Sequence, residues 1–244
     1  MVTVTIAGEK RQYQEGTTYE QIVQEYQEKY DGLIGLVAVN GKIQELFKQV
    51  KKDCEVSFFT LKDDVGHKTY VRTATMLFLK AVSDVFGDKV AQAARVEFAV
   101  KNGTYITADK LTATAENAEK IKNKMKELQE KAVPFMKASY YMDDAMALFK
   151  EKGMKDKERL FRYRRSSMVN LYEIDGYYDY YYGYMLPNAG YVKWFDVIAY
   201  DEGFMLLLPD KKEPTVVKAF MEQKKLFHTL KEAEKWAKEI GLET

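Results

Sequence analysis

The chain has 244 residues, enough for one large or two ordinary domains, and is 46% hydrophobic and 31% charged, the balance of a folded globular protein. Its 38 Lys and Arg against 37 Asp and Glu leave a net charge of +1, which excludes a general attraction to nucleic acid or anionic lipid and leaves only local patches for such partners. One cysteine, Cys54, excludes an intramolecular disulfide. The N-terminus opens on a strand pattern rather than a signal peptide, and no apolar run is long enough to span a bilayer, so the expectation is a cytoplasmic protein without membrane contact.

In chain order, VTVTI at residues 2–6 alternates β-branched residues and predicts a strand, turned by Gly8 toward a partner at residues 11–13. Thr17 or Thr18 then caps a short helix carrying Tyr19, Ile22, Val23 and Tyr26. Residues 33–39 form an apolar strand, Asn40-Gly41 a hairpin turn, residues 42–46 its partner, and CEVSFFT at 54–60 a last strand. Strand, strand, helix and three strands in about sixty residues is the order of a β-grasp sheet crossed by one helix. A polar connection at residues 62–66 is the expected boundary between a domain at 1–62 and one at 63–244.

The second part reads as α+β. It opens on a helix at residues 70–86, with Met76, Leu77, Leu79, Val82 and Phe86 mostly on one stripe. A hairpin at residues 95–99 and 104–108 turns at Asn102-Gly103. An amphipathic helix follows at 117–131, a strand at 135–141 and a helix at 142–152 ended by Gly153. KERLFRYRR at 157–165 is the one basic cluster with interleaved aromatics, and Arg159, Arg162, Arg164 and Arg165 are its candidate RNA contacts. Residues 177–197, YYDYYYGYMLPNAGYVKWFDV, contain nine aromatic side chains. They predict a hairpin of strands at 179–184 and 191–200 turning at Pro187-Asn188, which either buries an aromatic face or lines a pocket. A strand at 204–208 and helices at 214–227 and 230–240 complete the chain.

Motifs for catalysis are absent. There is no GxxxxGK[ST], GxGxxG, GxSxG, HExxH or CxxC. His67 and His228 are far apart, and neither has a Cys or His neighbour with which to build a metal cluster. On this motif evidence no catalytic residue, metal site or cofactor is expected in this segment.

VTVTIAG, YQEGTTYEQIVQEY, LVAVNGKIQEL and DCEVSFF together resemble a TGS domain. The helix TYVRTATMLFLKAV, the hairpin, the long helix and the stretch from Gly183 to Pro187-Asn188 are similar to the editing domain of threonyl-tRNA synthetase. That resemblance implies a His-x-x-x-His pair on the helix and a Cys-x-Gly-Pro-His run in the later loop. Arg72 and Met76 stand at the two helix positions, and Tyr181 and Met185 at the cysteine and the last histidine, with Gly183 retained. Arginine cannot ligate, and none of the four is a ready general base, so editing chemistry is not expected. Arg72, Met76, Tyr181, Gly183, Met185 and Asn188 become candidates for a ligand-binding pocket, where an arginine and tyrosines could hold a phosphate and stack on a base. The same side chains could equally fill the old pocket.

The run YYGYMLPNAGYVKWFDVIAYDEGFMLLLP also resembles the N-terminal half of bacterial uridine kinase-type nucleoside kinases. This second resemblance implies a non-catalytic ligand- or RNA-binding, or regulatory, region. Its C-terminal kinase domain, with the ATP and Mg that domain would use, is expected to be missing from this chain. An aminoacyl-tRNA hydrolase and a free-standing tRNA- or RNA-binding module are the alternatives. Nothing in the sequence selects an oligomeric state.

Overall fold

The computed structural model describes residues 1–162, 164 and 166–240. The first part follows the expected order of elements: β1 (Val2–Ile6), β2 (Glu9–Tyr13), α1 (Tyr19–Gln24), β3 (Ile34–Val39), β4 (Lys42–Glu45) and β5 (Cys54–Thr60). They form a five-stranded sheet of order β2-β1-β5-β3-β4. β1 and β5 run parallel, with Val4 opposite Cys54, and the other pairs are antiparallel. Of the two candidate caps, Thr17 and Thr18, it is Thr18 that caps α1, in a reciprocal capping box with Gln21. Val4, Ile6, Ile22, Val23, Ile34, Val37, Leu46 and Val56 fill the space between helix and sheet.

The rest is built around α2 (Asp64–Phe86), followed by α3 (Asp88–Gln92), β6 (Ala94–Val100), β7 (Gly103–Ala108), α4 (Ala115–Glu130), β8 (Met136–Tyr141), α5 (Met142–Glu151) and α6 (Lys155–Arg162). Then come β9 (Met168–Ile174), β10 (Tyr177–Asp179), β11 (Asp196–Tyr200), β12 (Gly203–Leu207) and α7 (Lys224–Glu239). Two further sheets have the orders β10-β9-β8 and β11-β12-β7-β6, so the described residues form a mixed α and β structure with three sheets. No helix of the described residues is long and apolar enough to cross a membrane.

Several elements differ from expectation for identifiable reasons. α2 begins at Asp64, so residues 64–66 are helix rather than connection. Gly66 permits this: a Cβ there would lie 2.0 Å from the Thr60 carbonyl oxygen, and helix and β5 could not approach so closely. α2 is also not buried along a single stripe. Every residue from Thr73 to Ser83 is buried, because the helix packs against α4, α3, the first sheet and β10. The β6–β7 turn falls at Lys101-Asn102, and Gly103 begins β7 because a side chain there would meet Met205 at 2.6 Å.

The aromatic hairpin does not form. β10 ends at Asp179 and pairs with β9, a strand that the sequence reading missed, and Tyr177 stands opposite Ile174. Beyond it Gly183 takes φ +132°, where a strand cannot continue. Residues 187–189 instead lie against the chain before β8: Phe135 N–H donates to the Pro187 carbonyl and Ala189 N–H to that of Val133. At the C-terminal end, residues 214–223 are not a regular helix, and α7 replaces the two predicted helices with one from Lys224.

Candidate functional site

The loop after β10 passes over the middle of α2, and there the side chains singled out from the sequence meet. Arg72, near the centre of α2, donates from Nη1 to the Tyr184 carbonyl at 2.7 Å. Its guanidinium lies on Gly183, where an added Cβ would stand 2.7 Å from Arg72 Cζ. At the next residue, the buried Thr73 hydroxyl accepts from Leu186 N–H at 3.0 Å and lies 3.5 Å from Met185 Sδ. Met76 and Met185 are both fully buried in the main core. The four positions where the editing resemblance implies His, His, Cys and His thus hold a guanidinium seated on the loop, two core thioethers and a phenol.

Tyr181 is partly buried, and its hydroxyl pairs with Asp179. Burial first, and Asp179 second, hold this phenol well above the usual tyrosine range, so it stays a neutral donor. Burial lowers the Arg72 guanidinium, while Tyr172 and Tyr181 act in the opposite direction. Asp179 is itself 4% exposed; Oδ1 accepts from Tyr180 N–H at 2.7 Å and lies 3.2 Å from Lys157 Nζ. Tyr182, at the loop tip, is 85% exposed. The surface near Arg72 thus combines a partly desolvated cation with phenols, an arrangement suited to holding an anion and stacking on a flat ring.

Two residues that the sequence did not single out hold this loop from beneath. The buried Tyr172 hydroxyl lies 2.7 Å from the Gly183 carbonyl and 2.6 Å from Glu45 Oε1. Glu45, at the end of β4, is 0% exposed and also pairs with Lys137 Nζ at 2.7 Å. Its place after the Asn40-Gly41 hairpin suggests an exposed strand end, and only the docking of β8 and β9 on the first sheet buries it.

Asn188 does not join the cluster. Its Nδ2 donates to Glu20 Oε1 of α1 at 2.8 Å, so it fastens the loop to the first sheet's helix. The basic tract is divided. Arg164 donates to the Tyr180 hydroxyl at 2.5 Å and stacks over the Tyr180 and Phe161 rings. Arg159 and Arg162 lie exposed on α6, and Arg165 falls outside the described residues. His67 contacts the Pro209 carbonyl at 3.0 Å, and His228 lines a cavity of about 510 Å³ between α7 and the β6–β7 hairpin, away from Arg72. No group of three His, Cys, Asp or Glu among the described residues could hold a metal ion.

No protein-family model matches the chain. Individual proteins do. The threonine–tRNA ligase of Syntrophotalea carbinolica is 28% identical over 190 residues, 71% of this chain and 30% of the relative. That of Thermotoga maritima is 26% identical over 194 residues, 79% of this chain and 29% of the relative. That of Symbiobacterium thermophilum is 27% identical over 210 residues, 83% of this chain and 32% of the relative. The chain therefore spans about a third of the length of these relatives. Nothing in these comparisons supports the expected link to uridine kinases or a missing kinase domain. Over most of its length, the chain is similar to threonine–tRNA ligases.

Proposed function

We propose that this chain is a tRNA-directed binding region with the organisation of a TGS domain at residues 1–62 and a threonyl-tRNA synthetase editing-like domain at 63–244, and that it does not hydrolyse aminoacyl-tRNA. The observation that carries the reading is Arg72 bonded to the Tyr184 carbonyl and pressed on Gly183, with Met76 and Met185 buried beneath. A guanidinium cannot take up a proton from water or ligate a metal, and a thioether is no general base. Likeness to threonine–tRNA ligases supplies the ligand class. Arg72 with Tyr181 and Tyr182 would meet a terminal phosphate and base, and Arg159 and Arg162 the backbone.

Two assays on the same protein test this. Transfer RNA should bind, with affinity falling linearly in log–log against salt and the slope shrinking by about one per phosphate-contacting arginine removed. Mischarged tRNA should be left intact. Turnover abolished by Arg72→Ala would establish a hydrolase instead, and salt-insensitive or absent binding would overturn the RNA reading.

A further inference from the structure

The last helix carries two apolar stripes. On its inner side Phe227 is buried and meets the Tyr105 and Tyr200 rings edge-on, with Leu230 beside it, and this seats α7 on the β11-β12-β7-β6 sheet. Turned away from the sheet, Leu226, Trp236 and Ile240 are 44%, 62% and 48% exposed, and Ala233 is exposed between them. Ile240 N–H bonds to the Trp236 carbonyl and so continues the helix. At 3.6 residues per turn these four side chains fall within an arc of about 80°, on the side away from Phe227. A surface helix ordinarily presents charged and polar residues there, and an apolar stripe left open to water marks an interface.

The stripe is symmetric about Ala233. Leu226 and Ile240 lie seven residues to either side of it, and Leu230 and Trp236 three. Laid antiparallel on itself, the stripe sets Leu226 against Ile240 of the second copy and Leu230 against Trp236. Ala233 then meets Ala233, whose small side chain lets the two axes approach. Charge selects the same arrangement. The exposed Lys225 and Glu239 stand at opposite ends of one flank, with Glu232 between them. Antiparallel pairing makes two Lys225–Glu239 contacts against one Glu232–Glu232 contact, whereas parallel pairing sets lysine on lysine and glutamate on glutamate throughout. It also opposes the two helix dipoles. The glutamates on this flank disfavour an anionic membrane surface. We propose that α7 is a self-association surface, through which two copies of this chain pair antiparallel about a two-fold axis at Ala233.

The test is sedimentation equilibrium of the full chain across protein concentration, with circular dichroism of each variant to show that it is folded. The unaltered protein should pass from monomer to dimer in the micromolar range. Trp236→Glu should raise the dissociation constant on the order of a thousandfold, since an interface tryptophan contributes about thirtyfold and a two-fold interface holds it twice. Lys225→Glu and Glu239→Lys should each weaken the dimer about tenfold, because each sets like charges together at both ends. Mixed, these two variants should pair with each other at close to the original affinity, because opposite charges meet again. A chain that is monomeric throughout, a dimer indifferent to Trp236→Glu, or a mixture no tighter than either charge variant alone would overturn the proposal. Should Trp236→Glu not fold, the charge variants decide. The readout is association alone, so failure of tRNA binding leaves this surface standing.

Discussion

The segment between β10 and β11 is held in different ways at its two ends. At Gly183 the fastening is by side chains: Arg72 above, and Tyr172 with Glu45 below. At Asn188 it is largely backbone, with Phe135 N–H on the Pro187 carbonyl, Ala189 N–H on that of Val133, and a bridge between Pro134 and Asn188. Backbone contacts persist whatever side chains are present, whereas side-chain contacts define a chemistry. The Asn188 end therefore keeps the loop seated, and the Gly183 end is free to carry an arginine and tyrosines where the editing resemblance implies histidines and a cysteine.

The comparison can be broken most sharply at Glu45. Glu45→Ala strips the carboxylate from Lys137 and Tyr172. It should cost about 3 kcal/mol, the range for breaking a buried ionic contact, as read by urea unfolding. A loss under about 1 kcal/mol would mean that the side-chain end bears little stability. Gly183→Ala comes next. Its φ of +132° and a Cβ 2.7 Å from Arg72 Cζ predict a cost of about 2 kcal/mol and displacement of the arginine. At the backbone end Gly190 has no positive φ, but a Cβ there would lie 2.9 Å from Asn188 Oδ1 and 3.1 Å from Ala132 Cβ, so Gly190→Ala should carry a steric cost without the backbone strain and cost less than Gly183→Ala. If Gly190→Ala costs as much as Gly183→Ala, the two ends do not differ as described. Arg72→Met leaves the Tyr184 carbonyl without its donor and should cost about 1.5 kcal/mol. The same variant should also weaken tRNA binding, which sharpens the assignment of ligand contact to this end. Asn188→Ala is the mildest. It removes one partly buried bond to Glu20, about 1 kcal/mol, and should leave tRNA binding unchanged.

Legibility followed locality. The five strands and capped helix of the first sheet are readable because each is announced within a few residues: the alternation of Val2, Val4 and Ile6, the Thr17-Thr18 cap and the Asn40-Gly41 turn. The candidate cluster was partly readable through resemblance, and the structure brings Arg72, Tyr181, Gly183 and Met185 to one place while sending Asn188 elsewhere. The aromatic stretch misled because dense tyrosines carry the same strand signal whether they pair with one another or with a distant strand. β9 alternates between exposed and buried from Met168 to Leu171, and it went unseen because the successive burial of Leu171 and Tyr172 breaks that alternation after four residues.

By itself the sequence determined the strands and capped helix of the first sheet, the residue types at the candidate positions and the near-neutral charge, since these follow from residue identity and local spacing. Only the tertiary structure decided that Tyr172 meets Glu45 across 127 positions and that Arg72 reaches the Tyr184 carbonyl across 112. Such contacts arise from how β8, β9 and α2 dock on the first sheet. Docking is set by the fit of many buried side chains at once, and no local period in the sequence encodes it.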